Sequence, residues 1–256
     1  MSNSFRAQLG IVHALLVRDA LRKYGHENLG FFWVVAEPLA FTIGVMIIWN
    51  LGGHEHGDMS ITAFALTAYS MLTMFRHMSQ GFVRIMQQNL SVLYHSTINA
   101  LDLLIARGVL ETISCLSTFF IAYVPLALLG VIDPIRDPLL VFGSWFLAAW
   151  FSFSFGMIAE GLSSLNDVVE RLFPAFMYLT LPLTGAFTMQ EWLPPKAREI
   201  LQYSPLVNLM EMFRCGMFSE DVKTYWSVPY ILYWCLAQTA IGLLLVEKAR
   251  KHVEMN

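Results

Sequence analysis

The first chemistry to look for in this chain is phosphate handling. A nucleotide-cradling loop, G-x-x-x-x-G-K-[ST], needs a lysine directly after a glycine. The lysines are Lys23, Lys196, Lys223, Lys248 and Lys251, and none of them follows a glycine, so ATP hydrolysis by that route is excluded. No H-E-x-x-H, G-x-S-x-G or EF-hand pattern occurs. His54, Glu55, His56 and Asp58 crowd metal-ligand types into one short stretch. A flexible turn is a poor chelator, and the chain is expected to hold no metal or cofactor of its own.

The remaining candidates are ionisable or aromatic groups inside apolar sequence. Glu37 directly precedes Pro38, while Glu160, Asp167, Glu170 and Arg171 gather at the end of one apolar run and the short loop after it. Such groups mark functional positions in a membrane, or they snorkel to headgroups and pair, here Asp167 or Glu170 with Arg171. A proton relay would want acids at the midplane of several spans, and these hug the ends. Aromatic rings are abundant (Phe 19, Tyr 9, Trp 7) and could stack on sugar rings along a path; Tyr69, Phe75 and Phe187 are the candidates for such a lining. Trp33, Trp49, Trp145, Trp226 and Trp234 equally fit the belts found at membrane interfaces.

The elements that position these groups follow from composition. Of 256 residues only 14% are charged and 56% are hydrophobic, with a mean hydropathy of +0.55. Soluble domains carry about 25% charge, so part of this chain's solvent is lipid. A net charge of −3 gives no footprint for nucleic acid, and Cys115, Cys215 and Cys235 form no C-x-x-C pair, which excludes a disulfide framework. Runs long enough to cross ~30 Å of hydrocarbon predict an all-α integral membrane protein with six transmembrane helices. They lie at 31–51, 61–82, 108–132, 139–162, 172–189 and 228–246. The fifth, with Pro174 and Pro182, is open to being broken or re-entrant. An even number puts both termini on one side. Placing that side in the cytoplasm collects the excess of Arg and Lys there, as the positive-inside rule requires. Residues 1–28 have basic groups and no uninterrupted apolar core, so the first span is expected to direct insertion itself.

Three segments are not spans. Residues 4–24 read as an amphipathic interfacial helix, with Phe5, Leu9, Val12 and Leu16 on one face and Arg18, Arg22 and Lys23 following. The alternative is a plain juxtamembrane anchor. Residues 84–107 are longer than a helix hairpin needs and offer Leu90, Val92, Leu93 and Tyr94 as an apolar knob for a partner's groove; otherwise they extend two long helices. Residues 190–226 read as two short outer helices, with Pro194 and Pro195 starting one and Pro205 ending it or beginning the next. The second carries Leu206, Met210, Phe213 and Met217 as a stripe, and Glu211 can pair with Arg214 at i,i+3. Together they look like a lid, or like a loop that simply packs on the bundle.

This order of elements resembles the permease subunit of type-2 ABC exporters. The run Arg18-Asp19, Arg22-Lys23-Tyr24-Gly25, Leu29-Gly30, Trp33 and Glu37-Pro38 is similar to that family's entry to the first span. NLSVLYH (89–95), LPLTGAFT (181–188) and EMFRCGMF (211–218) resemble its capsular-polysaccharide export branch. The resemblance covers nearly the whole chain and implies the following. The permease domain would be 29–250, with residues 1–28 before it and a cytoplasmic tail at 251–256. Two copies would surround one channel, each docked on a separate ABC ATPase subunit that binds ATP and Mg. Gln88, Asn89, Leu90, Leu93, Tyr94 and His95 would form the coupling helix. Arg18, Arg22, Lys23, Tyr24, Trp33 and Glu37 would line the entrance, and Trp192, Glu211, Phe213 and Arg214 the outer gate. The cargo would be a lipid-linked acidic polysaccharide, handed to a periplasmic co-polymerase and an outer-membrane polysaccharide channel in a bacterial inner-membrane system.

Rival readings are the same permease type exporting O-antigen, teichoic acid or a smaller substrate, an intramembrane enzyme, and an ion-coupled carrier. The enzyme would need a clustered acid, base or nucleophile set, and the carrier commonly shows repeated halves; neither stands out.

Overall fold

A computed structural model describes residues 2–24, 40, 44, 47, 60–93, 98–218 and 222–255. Helices dominate, and no strand occurs among the described residues. In chain order they are α1 (Ser2–Tyr24), α2 (Ile61–Phe82), α3 (Ile85–Gln88), α4 (Leu90–Leu93), α5 (Ala100–Leu128), α6 (Pro138–Leu165), α7 (Asp167–Leu179), α8 (Pro195–Gln202), α9 (Pro205–Met217) and α10 (Val228–Met255). Short 3₁₀ turns at Leu181–Thr184 and Gln190–Trp192 lie between α7 and α8.

Local chemistry sets the helix ends. Ser60 Oγ accepts the Ala63 N–H at the start of α2. The Asp102 carboxylate accepts the Asn99 N–H at the start of α5. Asp137 accepts from the N–H groups of Leu139 and Leu140, with Pro138 in the first turn of α6 where it lacks no needed donor. Asn166 caps α7 by accepting from Val168 N–H. Pro195 and Pro205 open α8 and α9 in the same way.

Among the described residues, three helices are long and apolar enough to cross a membrane: α5, α6 and α10. Helix α6 is the hub, packed against α10, α2, α9 and α7. Helix α2 matches the expected span at 61–82 but is more polar, because it lies inside the bundle among α5, α6 and α9. Its buried Thr67, Ser70 and Ser79 hydroxyls donate to carbonyls of their own helix, so they need no outside partner.

Several expectations are corrected. Helix α5 begins at Ala100, eight residues before the expected 108, so the connection after α2 is shorter than 84–107 and its end belongs to α5. The fifth run is not one helix: α7 has 13 residues, about 20 Å, too short for ~30 Å of hydrocarbon. A 3₁₀ turn containing Pro182 and a left-handed Gly185 (φ +73°) end it. Helix α10 runs on to Met255, so residues 251–255 of the expected tail are helical. In α1 the buried centre is Leu15, flanked by Ile11, Val12 and Leu16 against the bundle, whereas Leu9 is exposed. The expected stripe was turned by about one residue because α1 packs on α5. Most of the first expected span, with Trp33 and Glu37, lies outside the described residues, as do Tyr94, His95 and the His54–Asp58 cluster.

Candidate functional site

Two polar assemblies occupy opposite ends of α6. At its C-terminal end, α2 stops and the chain turns through Arg84, a non-glycine residue in the left-handed region (φ 55°). That strained turn is held: Arg84 N–H donates to Ser163 Oγ at 3.1 Å, and its guanidinium pairs with Asp167 and, at 3.0 Å, with Glu170. The expected pairing of these acids with Arg171 is therefore replaced by pairing with Arg84, which the turn brings across from another helix. Helix α3 then sits over Glu160, whose carboxylate accepts from Ile85 N–H (2.8 Å), Met86 N–H (3.2 Å) and Ser164 Oγ (2.8 Å). Glu160 is fully buried.

Among the expected coupling residues, Gln88 and Leu90 are exposed and Leu93 is half-buried. Asn89 is buried instead. Its amide donates to Ile85 O at 2.9 Å, and its carbonyl accepts from Arg18 at 3.0 Å.

The basic end of α1 meets this segment and α5. Arg18 pairs with Asp19, Lys23 Nζ lies 2.6 Å from Glu111, and Arg107 reaches the other oxygen of Glu111 at 3.0 Å. Asp19, Arg22, Lys23, Gln80, Asn89 and Arg107 contribute to the lining of a cavity of about 350 Å³ open to the surface. The cavity is net positive, so it suits an acidic group. Of the expected entrance residues, Arg22 and Lys23 line the cavity and Arg18 bonds to its Asn89; Tyr24 ends α1. Glu111 and Arg107 were missed, although their i,i+4 spacing was a readable signal.

Glu111 holds two cations from two helices while 1% exposed itself. Replacing it with glutamine should destabilise the protein by about 1–2 kcal/mol, since the half-buried cations regain some water. A melting temperature in detergent unchanged from wild type would show that α1 does not depend on this bridge.

At the other end of α6 the residues expected for the outer gate converge. Arg214 is fully buried and donates to Gly185 O (2.9 Å), Thr188 O (3.1 Å) and Ala186 O (3.2 Å). Its guanidinium lies over the Phe64 ring at 4.2 Å, and Phe64 meets Trp192 at 5.1 Å. The expected Glu211–Arg214 pair forms at 3.8 Å. Glu211 also accepts from Gln190 N–H (3.3 Å) and Tyr225 N–H (3.2 Å). Burial pushes the Glu211 carboxyl up from its ordinary range, while the Arg214 charge and these N–H groups pull it back. Burial lowers Arg214 to about 10, which leaves it charged at pH 7. Phe213 packs in the core against Phe119 and Trp145. The LPLTGAFT and EMFRCGMF segments therefore bond to each other, which their separation in sequence concealed.

The channel candidates divide. Tyr69 and Phe75 are buried inside the chain, Phe75 against Phe151 and Phe155, whereas Phe187 is exposed. Among the described residues no group of His, Cys, Asp or Glu could hold a metal ion.

No family model matches the chain. It is 32% identical over 252 residues to the capsule polysaccharide export inner-membrane protein BexB of Haemophilus influenzae, covering 98% of this chain and 95% of that protein. Identity and coverage are the same for the capsule polysaccharide export inner-membrane protein CtrC of Neisseria meningitidis serogroup B. The chain belongs to the capsule polysaccharide export inner-membrane proteins. This family is of the type-2 ABC permease kind, and it extends to more distant relatives: the polysialic acid transport protein KpsM of Escherichia coli is 22% identical over 244 residues, 95% of each chain. The match runs nearly end to end, so both assemblies of this chain lie in a region that aligns with the export proteins.

Proposed function

We propose that this chain is the membrane permease subunit of an ATP-driven exporter that moves a lipid-linked acidic capsular polysaccharide across the bacterial inner membrane. The observation that carries the reading is the 32% identity running through 98% of the chain and 95% of an export protein. The three long apolar helices support a multi-pass membrane subunit; six spans with both termini cytoplasmic is the arrangement proposed. ATP and Mg would be bound by a partner ATPase, in keeping with the missing phosphate loop.

The parts then act as follows. Two copies of the chain enclose the channel, and each seats its α3–α4 segment in an ATPase subunit. The net-positive cavity beside α1 receives the acidic head of the cargo, and the Arg214 assembly forms the outer gate. A long polymer must pass through a continuous channel with many weak contacts, since tight binding at any point would stall it. A periplasmic co-polymerase and an outer-membrane polysaccharide channel would receive it.

The test is affinity purification of the full chain from its native membrane with mass spectrometry, joined to capsule staining of a deletion strain. Recovery of an ATPase subunit and loss of capsule are expected. Loss of O-antigen or teichoic acid with capsule intact would move the cargo to that class, and recovery of no ATPase would sink the reading. Within the same assay, Leu90→Glu with Leu93→Glu should lower ATPase recovery by at least about tenfold, the effect of charging an interface anchor. The melting temperature should stay near wild type, because Leu90 is exposed and Leu93 half-buried. Undiminished recovery would place the docking surface elsewhere.

A further inference from the structure

We infer that Glu160 is the positioning residue through which the stroke of the α3–α4 segment enters the bundle, with α6 as the rod that carries it to the outer assembly. The inference rests on the permease reading above, and it assigns the route of force inside the chain. A segment pushed by a partner transmits motion only where it is bonded to something stiff. By chain connectivity α3 hangs from α2 through the left-handed turn at Arg84, a single-residue hinge. Its side-chain bonds go elsewhere. Both carboxylate oxygens of Glu160 hold the first N–H groups of α3, Ser164 Oγ donates to that same carboxylate, and Gln87 Nε2 donates to Ser164 O at 3.4 Å. The hinge itself is tied to Ser163, Asp167 and Glu170, the end of α6 and the start of α7.

What lies beyond Glu160 is built to move as one body. Gly161 lets α6 lie directly on the α10 backbone: a Cβ there would sit 2.5 Å from Leu245 Cβ and 2.9 Å from its carbonyl carbon. Gly242 makes the same close approach from α10, toward Met157 and Ser154. About 35 Å further along α6, at its other end, Asp137 N–H donates to Gly216 O of α9 at 3.0 Å. A Cβ on Gly216 would meet Val141 N at 2.9 Å, so α9 and the start of α6 are also in backbone contact. A push on α3 thus reaches α9, which carries Glu211 and Arg214, through bonded or close-packed contacts all the way.

The experiment uses the complex of the full chain with its ATPase, and compares wild type with Glu160→Gln, Glu160→Ala and Ser164→Ala. Glycan translocated and ATP hydrolysed are both measured per assembled complex. Glutamine keeps the shape but offers one acceptor oxygen, so it can hold only one of the two α3 N–H groups. The ratio of glycan moved to ATP hydrolysed is expected to fall on the order of tenfold in Glu160→Gln, more in Glu160→Ala and less in Ser164→Ala. ATPase recovery should match wild type. Two results overturn the inference: an unchanged ratio per complex, whether or not export and hydrolysis fall together, or no assembled complex for either Glu160 variant. The second would assign Glu160 to folding or docking. Wild type that binds no ATPase would instead overturn the permease reading, so the two failures are distinguishable.

Discussion

Arg214→Leu should lower the melting temperature of the detergent-purified protein by roughly 10 °C, the shift that a loss of about 3–5 kcal/mol produces in a chain of this size. The cause is specific. Arg214 is wholly buried, and its removal orphans three carbonyl groups at Gly185, Ala186 and Thr188 while leaving the Glu211 carboxylate without its buried counter-charge. Arg214→Lys should be intermediate, because an ammonium is a point donor that cannot reproduce the planar fork or the stacking on Phe64. Combining Arg214→Leu with Glu211→Leu should recover part of the loss by removing the unpaired charge. Recovery should stay incomplete, since Gln190 and Tyr225 would then lose their N–H acceptor. A single variant melting within about 2 °C of wild type would mean that the assembly around Arg214 does not depend on this clamp.

Gly161→Val should have the second large effect. Ordinary contacts between carbon atoms lie near 3.5–4.0 Å, and the first added atom would stand 2.5 Å from Leu245 Cβ and 2.9 Å from its backbone. Backbone cannot swing aside as a side chain can, so α6 and α10 must separate along their length. A loss of about 2–3 kcal/mol or more is expected, and about 1–2 kcal/mol for Gly161→Ala. Two controls make the comparison sharp. Gly156→Ala would meet the buried Phe82 ring at 2.7 Å, a side chain rather than backbone, and should cost less than Gly161→Val. Gly10→Ala on α1 meets nothing within 4 Å and should be neutral or slightly stabilising, since alanine is the better helix former. If thermal melts ranked Gly10→Ala as the most damaging of these, the close crossing of α6 and α10 would be refuted.

The particular residues explain how far reading along the chain could go. Helical class, the apolar helices near 139–162 and 228–246, and the start of α9 at Pro205 follow from local rules: run length, absence of charge and proline position. The Glu211–Arg214 pair was legible for the same reason, since i,i+3 spacing puts both on one helix face. So was the resemblance to the capsule export branch, because its motifs are short contiguous strings. The ends were less legible. Helix α5 starts early because Asn99 and Asp102 cap it within otherwise loop-like sequence, and α10 continues through Lys248–His252 because a charged helix end is stable in water.

What only the tertiary structure decided are the partnerships that cross the chain. Arg84, 83 residues before Asp167, captures in space the acids that neighbour Arg171 in sequence; Lys23 and Arg107 meet on Glu111; Arg18 reaches Asn89, 71 residues away. Glu160 reads in sequence as an acid snorkelling at a span end, and packing buries it under α3 as a backbone cap. Tyr69 and Phe75 read as rings for a channel and are buried within the chain. The physical reason is common to all of them. Hydrophobic run length and helix capping are set by neighbours within a few residues, so the sequence by itself determines the helices. Burial, counter-charge and helix crossing depend on which faces meet, and that is set only when α6 is surrounded by α2, α9 and α10.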